Sequence, residues 1–188
     1  MIHGSLVALV TPFDGSNRVD YASLKQLIDF HVDQGTSGLV IAGTTGESPT
    51  LKRSEHIELI GRSIEIAAGR IPVIAGTGSN STFQSIELSR AVYDPRLTGY
   101  MAVVPYYNKP TQEGIYQHYT AIADAIDKPL LMYNVPGRTV ADMLPETVGR
   151  LARHENIFGL KEATGDMDRL KQIQAVVSDE FALYSGDD

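Results

Sequence analysis

Hydrophobic positions fall into two alternating patterns along this chain. Short, nearly continuous apolar runs over residues 5–10, 38–42, 71–75, 100–104, 129–133, 157–161 and 181–184 predict seven buried strands. Between them the apolar spacing widens to three and four residues, as at Leu24, Leu27, Ile28, His31 and Val32, which predicts a helix started by Asp20 and stopped at Gly35. Further helices are predicted over 54–68, up to about 93, and over 112–126, 145–152 and 167–177. The strands begin roughly thirty residues apart, the length of a strand, a crossover helix and two loops. Strands this uniformly apolar imply a parallel sheet covered on both faces, and so long an alternation favours an α/β TIM barrel over a doubly wound sheet. The expectation is one barrel domain over residues 1–188. Seven strands are one short of closure, so the barrel is expected to be truncated after its seventh strand, as a fragment of a longer chain.

Composition narrows the functional classes. The 188 residues carry a net charge of −7 with no basic run, which argues against nucleic acid and anionic membranes as partners. Cysteine is absent, which excludes disulfides and thiolate metal sites. His3, His31, His56, His118 and His154 show no metal-ligand spacing, so no metal is expected. No apolar run reaches membrane-spanning length, and a cytoplasmic enzyme is the expectation.

In parallel barrels the chemistry sits on the loops that follow the strands. Here those loops hold Thr11, Gly43-Thr44-Thr45-Gly46-Glu47, Gly76-Thr77-Gly78, Tyr106-Tyr107-Asn108, Tyr133-Asn134 with Arg138, Lys161 with Thr164, and Ser185-Gly186-Asp187-Asp188. A lysine at the end of a buried strand loses solvation of its ammonium form, so Lys161 is a candidate amine nucleophile; the alternative is a rim lysine paired with Glu162. Tyr133 ends the preceding strand and faces the same mouth, as a proton-transfer group or as a structural partner of the lysine. The glycine-rich segment at 43–47 offers backbone N–H groups and two hydroxyls to a carboxylate or phosphate, or simply caps the next helix. Arg138, after a Pro-Gly turn, can grip a carboxylate or form a surface salt bridge. Together these groups are the equipment of a Schiff-base aldolase acting on an α-keto acid.

Five motifs in order resemble the dihydrodipicolinate synthase family: Gly43-Thr44-Thr45-Gly46-Glu47, Ile71-Pro72-Val73-Ile74-Ala75-Gly76-Thr77-Gly78, Pro105-Tyr106-Tyr107-Asn108-Lys109-Pro110, Tyr133-Asn134-Val135-Pro136-Gly137-Arg138-Thr139 and Gly159-Leu160-Lys161-Glu162-Ala163-Thr164. The resemblance implies that Lys161 forms a Schiff base with pyruvate, whose enamine attacks aspartate semialdehyde to give hydroxytetrahydrodipicolinate in lysine and diaminopimelate biosynthesis, without a cofactor. It further implies that Tyr133 relays protons, that Thr44 links it to Tyr107 of a neighbouring subunit, and that Thr45 and Gly186 belong to the substrate-binding groups. Arg138 would hold the semialdehyde carboxylate, and a homodimer or homotetramer is implied.

In the family the barrel continues past Asp188 to an eighth strand and C-terminal helices, including a backbone group near the pyruvate. The family's lysine-inhibition pocket maps onto Ser48, His56, Asn80, Gln84 and Tyr106, with Gln84 where inhibited members carry an acid and Arg53 where they carry a histidine, so inhibition by lysine is expected to be weak. Two alternatives remain at this point: a sialate or keto-sugar-acid lyase of the same superfamily, and a truncated synthase serving only as an assembly module.

Overall fold

The computed structural model describes residues 2–187. They form two compact units, one of Ile2–Thr77 with Leu88–Gly99, the other of Gly78–Glu87 with Tyr100 onward. In the first, β1 (Leu6–Ala8), β2 (Gly38–Ile41) and β3 (Val73–Gly76) run parallel in chain order, with Leu6 level with Gly38 and Leu39 with Val73. Every residue of β2 and β3 is buried, as strands covered on both faces require. The helices α1 (Tyr21–Asp33) and α2 (Arg53–Ala67) pack on each other, and α1 buries Leu24 and Ile28, spaced one helical turn apart. Asp20 starts α1 by accepting from the amides of Ala22 and Ser23 at 3.0 and 3.1 Å, a cap that stabilises a helix by about 1 kcal/mol.

The second unit contains β4 (Gly99–Val103, from Tyr100), β5 (Leu130–Asn134), β6 (Ile157–Glu162) and β7 (Ala182–Ser185), again parallel and in chain order. Its helices are α4 (Gln112–Ala125), α5 (Pro136–Thr139), α6 (Pro145–Leu151) and α7 (Met167–Gln174). The remaining helix, α3 (Thr82–Ala91), lies where the chain passes between units. Asp166 caps α7 through the amides of Asp168 and Arg169, at 2.9 and 3.1 Å. This cap brings Arg169 into the first turn, where its side chain is nearly buried.

All seven predicted strands are present among the described residues, with shifted ends. Two short elements went unpredicted, the 3-10 turn Ser48–Thr50 and α5, each with a proline in its first two positions and too short to show a period. Several strand ends need correction: β1 is confined to Leu6–Ala8, β3 runs on to Gly76 and β7 to Ser185, and two further extensions bear on the site. The sixth strand runs one residue past Lys161 to Glu162, and the fifth one past Tyr133 to Asn134. Backbone pairing extends them: Asn134 is level with Glu162, and the Gly186 amide donates to the Glu162 carbonyl at 2.7 Å.

One irregularity positions the site. Leu130 is level with Ile157, but Leu131 is level with Gly159, so β6 carries an extra residue at Phe158. A one-residue slip exchanges the faces that side chains occupy. Uninterrupted pairing would set Leu160 beside Tyr133; with the bulge, Lys161 takes that place. Gly159 permits the close approach of β7, since a Cβ there would fall 2.5 Å from the Ala182 carbonyl oxygen.

Candidate active site

Side chains alternate between faces along a strand, so register partners in parallel strands share a face. Lys161 is level with Tyr133 on one side and with Tyr184 on the other, giving a row of phenol, amine and phenol across β5, β6 and β7. The Lys161 ammonium nitrogen lies 4.6 Å from the centre of the Tyr133 ring. The lysine is half-buried, and loss of solvation holds its pKa below the ordinary lysine value, so a larger fraction is neutral amine at a given pH. Tyr184 shifts upward for the same reason and stays a protonated phenol. It is a site residue that sequence reasoning missed, because only the register of β7 sets it beside the amine.

The expected competitor for Lys161, the adjacent Glu162, points to the opposite face. Its carboxylate is buried and accepts from Arg169 Nε at 3.2 Å, from Asn134 Nδ2 at 3.2 Å and from the Thr164 amide at 3.1 Å. Among the described residues Lys161 therefore has no ion pair. The reading of Lys161 as a rim lysine paired with Glu162 is removed by this geometry.

Gly186 lies against the lysine stem. A Cβ at this position would fall 2.7 Å from Lys161 Cε, 3.0 Å from Lys161 Cγ and 2.9 Å from Ala163 Cβ. The absent side chain is thus the space through which the amine extends. Asp188, in the same predicted loop, lies outside the described residues.

The other predicted groups are distributed as follows. Arg138 is exposed on α5 and has no ion pair among the described residues, which leaves its guanidinium open to a ligand. Tyr107 is 87% exposed on a backbone with φ of 74°, a conformation uncommon for a bulky side chain and one that turns the ring out to solvent. In the first unit, Thr44 and Thr45 are exposed in the turn after β2, which is closed by the Glu47 amide donating to the Thr44 carbonyl at 3.1 Å. Thr11 donates its hydroxyl to the Gly46 carbonyl at 2.6 Å, which fixes the same turn and marks Thr11 as structural.

Of the residues mapped to an inhibitor pocket, Ser48 opens the 3-10 turn and His56 is buried in α2, with Nε2 2.8 Å from the Gly76 carbonyl oxygen. Burial lowers the His56 pKa, favouring the neutral ring, and the nearby Arg53 charge acts the same way. In the other unit Asn80 donates to the Tyr106 carbonyl at 3.2 Å, and exposed Gln84 accepts from the Ser79 hydroxyl at 3.1 Å. Among the described residues no group of three acidic or histidine side chains gathers as a metal site, and no helix is long and apolar enough to cross a membrane.

A strand-end lysine beside a tyrosine, on parallel strands followed by helices, defines a βα-barrel wall with an amine at its reactive rim. The chain belongs to the Dihydrodipicolinate synthetase family, whose sequence model matches residues 1–188. It is 57% identical over its whole length to the 4-hydroxy-tetrahydrodipicolinate synthase of Pseudomonas savastanoi pv. phaseolicola, of which it covers 64%. Among solved structures it is similar to the chloride-inhibited dihydrodipicolinate synthase of Acinetobacter baumannii complexed with pyruvate. That match has 50% identity and a TM-score of 0.96, covering all of this chain and 64% of the other. The lysine-bound enzyme of Cyanidioschyzon merolae matches with 45% identity and a TM-score of 0.93, over 97% of this chain and 63% of its own. The fold class is accordingly that of the TIM barrel, and the chain spans less than two thirds of the length of the relatives it matches.

Proposed function

We propose that this chain belongs to a 4-hydroxy-tetrahydrodipicolinate synthase, a lyase that condenses pyruvate with aspartate 4-semialdehyde through a Schiff base. The observation that carries this reading is the Lys161 amine: half-buried, its acidic neighbour turned away, and 4.6 Å from the centre of the Tyr133 ring. A neutral Lys161 Nζ attacks the ketone carbon of pyruvate, a C–N bond forms, and the former ketone oxygen leaves as water. The resulting iminium draws electrons from the adjacent methyl group, which gives up a proton toward Tyr133. The enamine carbon then forms the new C–C bond with the aldehyde carbon of the semialdehyde, whose oxygen takes up a proton; the semialdehyde's amino nitrogen then attacks the regenerated iminium carbon, closing the ring and expelling the Lys161 amine, so that the first C–N bond is broken. Because the iminium is itself the electron sink, the proposed reaction asks for no metal or cofactor.

Arg138 suits the semialdehyde carboxylate, since its guanidinium is exposed and has no ion pair among the described residues. The roles proposed for Thr44 in proton relay and for Thr45 and Gly186 in substrate binding rest on the family resemblance. So does the role of Tyr107 in a neighbouring subunit of a homodimer or homotetramer, with the outward-turned ring as support. A cytoplasmic location and weak inhibition by lysine complete the proposal. Its test is reduction with borohydride in the presence of pyruvate, followed by peptide mass mapping. The adduct is expected on Lys161 and is expected to vanish in Lys161→Ala; an adduct on another lysine, or none in the native enzyme, overturns the reading.

A further inference from the structure

The face of β5 and β6 opposite the amine holds a second polar pair. Asn134 and Glu162 are level with each other, one residue beyond Tyr133 and Lys161, and both are buried, at 0% and 8% exposure. Asn134 is used fully: its amide nitrogen donates to Glu162 and, at 3.0 Å, to Asp142, while its oxygen accepts from the Met143 amide at 3.1 Å. Arg169, delivered by the first turn of α7, joins the same carboxylates. Its Nε donates to Glu162, its two terminal nitrogens grip Asp142 at 3.0 and 2.9 Å, and one of them also donates to the Met143 carbonyl. The two strand ends next to the reactive pair, the Asp142–Met143 segment and α7 thus meet in one cluster.

Burying the Glu162 carboxylate and the Arg169 guanidinium carries a desolvation cost that well-packed apolar residues would not incur, so stability alone is a poor account of the cluster. Its geometric content is high. The planar guanidinium fork accepts only a narrow range of carboxylate positions, and the bonds from Asn134 and Arg169 to Glu162 tie the two strands together at the end opposite the bulge at Phe158. The cluster also occupies the Glu162 carboxylate, which sequence adjacency would otherwise make available to the Lys161 ammonium. We propose that Glu162, Arg169, Asn134 and Asp142 form a positioning device for the reactive pair, holding the ends of β5 and β6 so that the Lys161 amine and the Tyr133 ring meet on the opposite face. The proposal rests on the Schiff-base reading above and adds four residues to it as positioning residues.

The experiment measures the rate of borohydride-trapped pyruvate adduct on Lys161 in the full-length enzyme across pyruvate concentrations, with a thermal melt on each preparation. Arg169→Lys keeps the charge and loses the fork, while Glu162→Gln keeps the shape and loses the charge. Each is expected to lower the limiting trapping rate roughly 10- to 100-fold, because reactive groups tolerate about 1 Å of misplacement poorly, while half-saturation by pyruvate changes less than about threefold. Asp142→Asn, at a side chain 37% exposed, perturbs the fold least and is expected to lower the rate by a smaller factor of about 3 to 10. This variant carries the test if the other two do not fold. Native limiting rates in folded variants, with only the melting temperature lowered, overturn the proposal and leave the cluster a structural ion network. Native enzyme that traps no pyruvate on Lys161 removes the functional reading itself and the positioning role with it.

Discussion

Gly186→Ala inserts one methyl group where Lys161 passes. The new carbon would sit 2.7 Å from Lys161 Cε, against an ordinary carbon–carbon contact of about 3.5–4.0 Å, so roughly 1 Å must be found. The Gly186 backbone is held by its 2.7 Å hydrogen bond to the Glu162 carbonyl, whereas the lysine stem is free to rotate, so the stem should yield first. Ala163 Cβ, at 2.9 Å, must also give, and overpacking of this kind costs roughly 1–3 kcal/mol of stability. Displacing the amine by about 1 Å from a near-attack position costs on the order of 100-fold in rate, equivalent to about 2.7 kcal/mol of barrier. The assay is single-turnover trapping at saturating pyruvate, run well below the melting temperature measured on the same sample. Gly61→Ala serves as the control for the substitution itself: a Cβ there meets nothing within 4 Å, and alanine in a helix interior should raise stability by up to about 1 kcal/mol with trapping unchanged. A Gly186→Ala enzyme that traps pyruvate at the native rate would refute the argument that this glycine makes room for the amine.

Three further outcomes are expected. His118 is buried in α4 with its pKa pushed down to about 4, by burial alone, while an unfolded chain takes up the proton near pH 6.5. Below pH 6.5 the unfolded state therefore binds more protons, and stability should fall by about 3 kcal/mol as pH drops from 6.5 to 4. Denaturant titrations of native and His118→Gln enzyme should show that drop diminished by this amount in the variant, and equal slopes would place the acid sensitivity elsewhere. Arg138→Ala should raise the Michaelis constant for the semialdehyde far more than that for pyruvate; equal effects in steady-state kinetics would favour a keto-sugar-acid lyase instead. Gln84→Glu should strengthen inhibition by lysine, since a carboxylate offers an ammonium group a bond about twice as strong as a neutral carbonyl does. Tight inhibition of the native sequence in the same assay would show that charge at 84 does not control the effect.

Sequence by itself determined the repeating strands and helices, because apolar runs and apolar periods are local properties that survive without knowledge of partners. It also singled out Lys161 and Tyr133, since a lysine and a phenol ending apolar strands are chemically conspicuous wherever those strands lie. Their mutual placement was decided by tertiary structure. The extra residue at Phe158 sets Lys161, and not Leu160, beside Tyr133, and a register shift is a property of two paired strands that neither strand's sequence displays. The same holds for Glu162. Its adjacency to Lys161 suggested an ion pair, yet strand alternation sends the two side chains to opposite faces, and Arg169 and Asn134 complete the separation from other elements of the unit. The family resemblance set Gly186 among the substrate-binding groups, but that it makes room for the lysine stem emerged only from the folded chain, because clearance is a relation between atoms that meet only after folding.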